Sequence, residues 1–151
     1  MANTQAMCTS FKTEILSGIH ALGTTVIRAG TGADTIKAAL YLASATVNAS
    51  TTVYSATGEV SGTGYTAGGV TATNATAPTS SGTTAYWTPS ASFTYTPVTL
   101  TTSFDCVLVY NSTQSNKAIS AHTFGAQAIT AGTFVLSMPT NDSTNALIRI
   151  A

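Results

Sequence analysis

Residues 104–111 read FDCVLVYN. Phe104, Cys106, Leu108 and Tyr110 share one parity, and Asp105, Val107 and Val109 share the other. Both parities are apolar apart from one acid, which predicts a strand buried on two faces at the centre of a sheet. Before it, residues 83–103 (TTAYWTPSASFTYTPVTLTTS) read as extended chain, with Pro89 and Pro97 marking edges, bulges or turns because proline removes a ladder donor. After it, residues 112–117 (STQSNK) carry turn chemistry. Residues 117–125 (KAISAHTFG) and 127–139 (QAITAGTFVLSMP) then read as two further strands, and NALIRIA at 145–151 as a last short one. Upstream, TIKAALYLASATV at 35–47 is a strand with one apolar face (Ile36, Ala38, Leu40, Leu42) and one mixed face (Lys37, Ala39, Tyr41). Residues 48–56 form a short strand or extended loop. Residues 74–83 (NATAPTSSGT) read as loop, since nothing in them builds a core.

The N-terminal segment has a different period. Met7, Phe11, Ile15, Ile19 and Leu22 recur every three or four residues, which predicts an amphipathic helix ending at Gly23, with Asn3 or Thr9 as its cap. Gly18 sits inside that pattern, and Lys12 and Glu14 fall off its stripe. Strands recur at short intervals, roughly seven to nine in all. The expected fold is therefore mainly β, an antiparallel β-sandwich or jelly-roll-like domain with one N-terminal α-helix. Residues 1–23 are the arm and helix, and residues 24–151 the sandwich.

Composition narrows the function classes. Only 7% of the 151 residues are charged, and the formal net charge is zero. Thr, Ala and Ser fill the deficit, as in surfaces that pack against other protein with little charge to oppose contact. The cations Lys12, Arg28, Lys37, Lys117 and Arg149 are scattered, so no basic stripe for nucleic acid exists. No apolar run reaches the length of a membrane span. The N-terminus does not read as a signal peptide, and Cys8 and Cys106 are expected as free buried thiols.

Candidate chemistry is sparse. Gly62, Gly64 and Gly68 imitate a dinucleotide-binding loop, but the following VTATNATAPTS cannot open a helix, and no acid lies between Glu59 and Asp105. The glycines are expected to serve two successive turns, with Glu59 and Tyr65 tying the loop down or making contacts. His20 beside the helix stripe and His122 in a strand read as packed, hydrogen-bonded residues. No catalytic, cofactor or metal residues are assigned. Tyr86, Trp87, Phe93 and Tyr95 cluster as core, interface anchors or, last, a sugar-stacking face.

Several stretches in order, FKTEILSGIHALG (11–23), IKAALYLASATV (36–47), TTVYSATGEVSGTGYTAGGV (51–70), CVLVYNST (106–113), HTFGAQ (122–127), GTFVLSMP (132–139) and LIRI (147–150), together resemble a family of small virion structural proteins of tailed bacteriophages. Family members carry more charge and more apolar residues than segment 74–92 does here. The resemblance implies a structural part of the particle, made in the bacterial cytoplasm, and no catalytic residues. The expectation is a capsid decoration or cement protein on the head exterior, an oligomer binding the major capsid protein and copies of itself. Phe11, Ile15, Ile19, Tyr65 and Trp87 are its candidate contacts. The alternatives are a neck, tail or fibre component, or a carbohydrate-binding β-sandwich.

Overall fold

A computed structural model describes residues 2–16, 18–23, 33–73 and 76–151. Arg28 and residues 74–75 of the expected loop lie outside the described residues. The elements run β1 (Ala6–Met7), α1 (Thr9–Leu16), β2 (Ile36–Leu42), β3 (Val70–Thr71), β4 (Thr79–Ser81), β5 (Thr84–Trp87), β6 (Phe93–Asn111), β7 (Lys117–Leu136) and β8 (Ile148–Ile150). The chain is mainly β, with two antiparallel sheets of order β1-β7-β6-β2-β3 and β4-β5-β8 and one short N-terminal helix, a β-sandwich type of fold.

FDCVLVYN is the centre of the larger sheet. Phe104 and residues 106–111 are buried, with β7 on one side and β2 on the other. The mixed face of β2 is covered as well: Ala39 and Tyr41 are buried and Lys37 is half-buried.

β6 and β7 are longer than the sequence suggests. KAISAHTFG and QAITAGTFVL are one continuous strand, and β6 runs on through the cis Thr96–Pro97 bond. The ribbon they form bends over on itself. Phe104 pairs opposite Gln127, whereas Phe134 pairs opposite Tyr95, nine positions along β6. A straight strand would put those points about 30 Å apart. Instead the Phe104 and Phe134 rings meet edge to face at 5.1 Å. Likewise, the Tyr95 hydroxyl donates to the Ala38 carbonyl at 2.9 Å, although Ala38 pairs with Val109. Repeated register shifts between Tyr95 and Cys106 absorb the bend, as bulges do by increasing local twist. One ribbon thus supplies both layers around a single buried cluster that includes Phe93, Val98, Leu100 and Phe104.

The helix is shorter than its apolar period. It ends at Leu16, shortly before Gly18, which has φ 65°. The Gly18 N–H donates to Ile15 O at 2.9 Å and the Ile19 N–H to Glu14 O at 3.0 Å, the paired bonds of a Schellman cap. Ile19 and Leu22 keep the helical spacing but lie in irregular chain, from which Leu22 packs against the core. Asn3 caps nothing. Its amide bonds Leu42 O and Asp105 Oδ1, and its oxygen takes the Val47 N–H, which pins the arm to the sheet. The expected loop at 74–83 also needs correcting. Thr79–Ser81 pairs with Thr84–Trp87 as a hairpin whose outer strand is wholly exposed. Backbone pairing, not burial, makes that strand.

Candidate interaction surface

The five candidate contact residues divide by burial. Phe11 (0% exposed) faces the chain's own core and β7, so the helix covers its own domain. Trp87 (1% exposed) is core as well, its indole N–H donating to Thr76 O at 2.9 Å. These two are corrected from contact residues to core residues. Phe93 and Tyr95 are also buried, which removes most of the aromatic platform a sugar would need. Ile15, Ile19 and Tyr65 are half-buried.

The glycine-rich turns are tied down by Glu59, which is 9% exposed. Its carboxylate accepts from the Tyr54 hydroxyl at 2.6 Å, the Tyr65 hydroxyl at 2.8 Å and the Gly68 N–H at 2.7 Å. Tyr65 in turn accepts the Leu40 N–H at 3.0 Å, and the Tyr110 hydroxyl donates to Gly68 O at 2.8 Å. Burial and the neighbouring carboxylate push the Tyr65 hydroxyl well above its ordinary range. Tyr65 is therefore a tether, with its polar atom spent internally. Gly64 is required by geometry: its φ is 79°, and a Cβ there would lie 1.9 Å from Pro97 O. Gly62 differs from Gly64. Its φ is not positive, and it is needed because a Cβ would meet Thr99 O at 2.0 Å.

Sequence reading placed Glu14 off the helix stripe, yet it is buried in a polar network. Its Oε2 lies 2.7 Å from His20 Nε2, and its Oε1 accepts from Lys117 Nζ at 2.6 Å. The Asn111 amide bridges His20 Nδ1 at 3.1 Å and Asp34 Oδ2 at 2.8 Å. An amide N–H pointing at Nδ1 makes that nitrogen the acceptor and assigns the proton to Nε2, which faces Glu14. Burial pushes Glu14 up, but the hydrogen bonds from Lys117 and His20 and the charge of Lys117 outweigh it and hold the carboxyl below its ordinary value. Both ring nitrogens of His20 are occupied within the chain, the arrangement of a structural clasp between helix and sheet. His122 pairs with Ser120 Oγ at 2.9 Å, and burial pushes it down to about 4. A base that weak abstracts protons poorly at neutral pH. Among the described residues no group of His, Cys, Asp and Glu is gathered to hold a metal ion. Cys8 and Cys106 are free and buried.

The surface that remains is the β6–β7 ribbon. No Asp, Glu, Lys or Arg occurs between Glu59 and Asp105, or between Lys117 and Asp142. Most exposed positions are small or hydroxylic, such as Thr94, Thr96 and Thr101 on β6 and Ala126, Ala128 and Thr130 on β7, with Pro97, Gln127 and Val135 exposed among them. The outer edge of β7 is covered from Lys117 to Ala121 by a bridge to Val53, by bonds to Thr52 and Cys8 and by β1, and from His122 onward no described strand pairs with it. An open edge normally carries charge or proline to prevent association, and this one carries neither between His122 and Leu136. No helix among the described residues is long and apolar enough to cross a membrane. Searches of family models, curated proteins and solved structures find nothing that matches this chain.

Proposed function

We propose that this chain is a structural virion protein of a tailed phage, of the kind that decorates the outside of an assembled head and cements neighbouring capsid subunits. One observation carries the reading: a long ribbon, free of Asp, Glu, Lys and Arg over residues 93–104 of β6 and 118–136 of β7, with a β7 edge left unprotected beyond Ala121. In a solitary protein that combination is an association hazard, whereas in a subunit of a symmetric lattice it is contact surface. The ordered sequence resemblance supplies the particle. The mechanism is multivalent: each copy adds a modest contact to the major capsid protein and to its neighbours, and many copies sum to a stable shell.

Quantitative mass spectrometry of purified particles tests this. The expected result is a copy number comparable with that of the major capsid protein. A handful of copies per particle moves the protein to the neck, tail or fibre, the second reading, and absence from particles ends both.

A further inference from the structure

Lys12 on α1 and Arg149 on β8 are exposed cations without an acidic partner among the described residues, and they line one groove. The groove lies where both sheets end. β1 is the terminal strand of the larger sheet and β8 of the smaller, so each has one edge with no strand beside it. Two adjoining hollows of about 490 and 370 Å³ share Met7 of β1 and Arg149 of β8 in their walls. The first extends past Ser120 and His122, and the second runs between Ile15 and Ile150. Ile150, at 44% exposure, is one of three large apolar side chains exposed among the described residues, so the chain's own core does not use it. No acidic side chain lines either hollow.

We propose that this groove accepts an extended segment of a different protein, apolar on one face and bearing a carboxylate, which adds as a strand between the open edges of β1 and β8. Open edges supply main-chain hydrogen bonds, and alternate side chains enter the hollows, of which the second is mostly apolar and the first mixed. Two cations with no acidic side chain in either hollow favour an acidic occupant. A second copy of this chain offers no unengaged side-chain carboxylate. Its side-chain carboxylates, Glu14, Asp34, Glu59, Asp105 and Asp142, are all hydrogen-bonded within the fold. The proposal deepens the assembly reading by stating the chemistry of the partner's contact, and it rests on that reading only for where the partner is met.

The test is an NMR titration of the ¹⁵N-labelled full chain with two acetylated octapeptides. Each alternates valine and threonine; one carries two glutamates, the other two lysines at the same positions. The glutamate peptide should shift the amides of Met7, Lys12, Ile15 and Ile148–Ile150 and bind about tenfold more tightly than the lysine peptide. The double variant Lys12→Glu/Arg149→Glu should invert that order. Both side chains are exposed, so its melting temperature should match the parent's. Equal binding of the two peptides, no binding of either, shifts confined to other surfaces, or a charge-reversed variant that keeps the original preference would each overturn the proposal. Laurate bound in the groove with no peptide bound would assign it to small anionic amphiphiles and also overturn it. Particle incorporation separates the two ideas. A charge-reversed variant present at the parent's copy number removes the groove and leaves the assembly reading. A parent absent from particles that still binds the glutamate peptide does the reverse.

Discussion

Replacing Glu59 by Ala removes the acceptor that holds the glycine-rich turns against β2. Three donors lose their partner: the Tyr54 and Tyr65 hydroxyls and the Gly68 N–H. A hydrogen bond to a charged group contributes about 1.5–3 kcal/mol. Tyr54 and Tyr65 are both half-buried, but the Tyr65 hydroxyl lies deeper than that of Tyr54, so Tyr54 recovers water while the Tyr65 hydroxyl and the N–H of buried Gly68 do not. With part of the gain offset by the cost of desolvating the carboxylate itself, the net loss is about 4 kcal/mol. For a 151-residue domain that lowers Tm by about 12 °C. Glu59→Gln keeps an oxygen facing Tyr65 and Gly68 and presents an amide to Tyr54, whose hydroxyl can turn to accept. Its cost should be about 1–2 kcal/mol. Urea unfolding of both variants, followed by tyrosine fluorescence, measures the two values. An alanine variant within about 1 kcal/mol of the parent, or a glutamine variant as damaged as the alanine one, refutes the tether.

Three further outcomes are expected. Gly64→Val should cost about 3 kcal/mol or more in urea unfolding, because the new side chain meets Pro97 O at a left-handed φ, whereas added ATP or NAD should leave the parent's Tm unchanged. His122 titrates near 6.5 when unfolded and about 4 when folded, so the folded state binds fewer protons between those values. Stability should hold above pH 6.5 and fall by about 3 kcal/mol as pH drops to 4, and His122→Asn should remove that slope. Glu14, held below its ordinary 4.5, adds a loss at lower pH still, which Glu14→Gln should flatten. Burial pushes Cys8 up to about 11 and Cys106 up to about 12, so Ellman's reagent at pH 8 should label neither thiol until denaturant is added; rapid labelling of the native chain would contradict the burial.

What the sequence reveals and what it hides follow from the range of the interactions. FDCVLVYN is legible because two apolar parities can only mean two covered faces. The 112–117 turn is legible because Ser115 and Asn116 adopt positive φ, as short polar residues tolerate. The union of KAISAHTFG and QAITAGTFVL is not legible, since Gly125 reads as a break unless β6 is known to lie beside it. The helix end is misread because Ile19 and Leu22 continue a spacing that their own backbone has abandoned. Glu14 lies off the apolar stripe, yet Lys117, 103 positions away, makes its burial possible. Phe11 and Trp87 have the residue types of contact anchors, and only the packed structure shows that the core takes them. The groove is hidden for the same reason: β1 and β8 come from opposite ends of the chain.

The bare ribbon and the cationic groove differ in how they respond to ionic strength. A contact made through residues 93–104 of β6 and 118–136 of β7 contains no Asp, Glu, Lys or Arg for salt to screen, so it should persist from dilute buffer to molar salt and tighten in sulfate, which is excluded from protein surfaces. A segment held by Lys12 and Arg149 should loosen over the same range. A particle built with both would therefore keep its lattice through a salt shock and loosen first at the cationic groove.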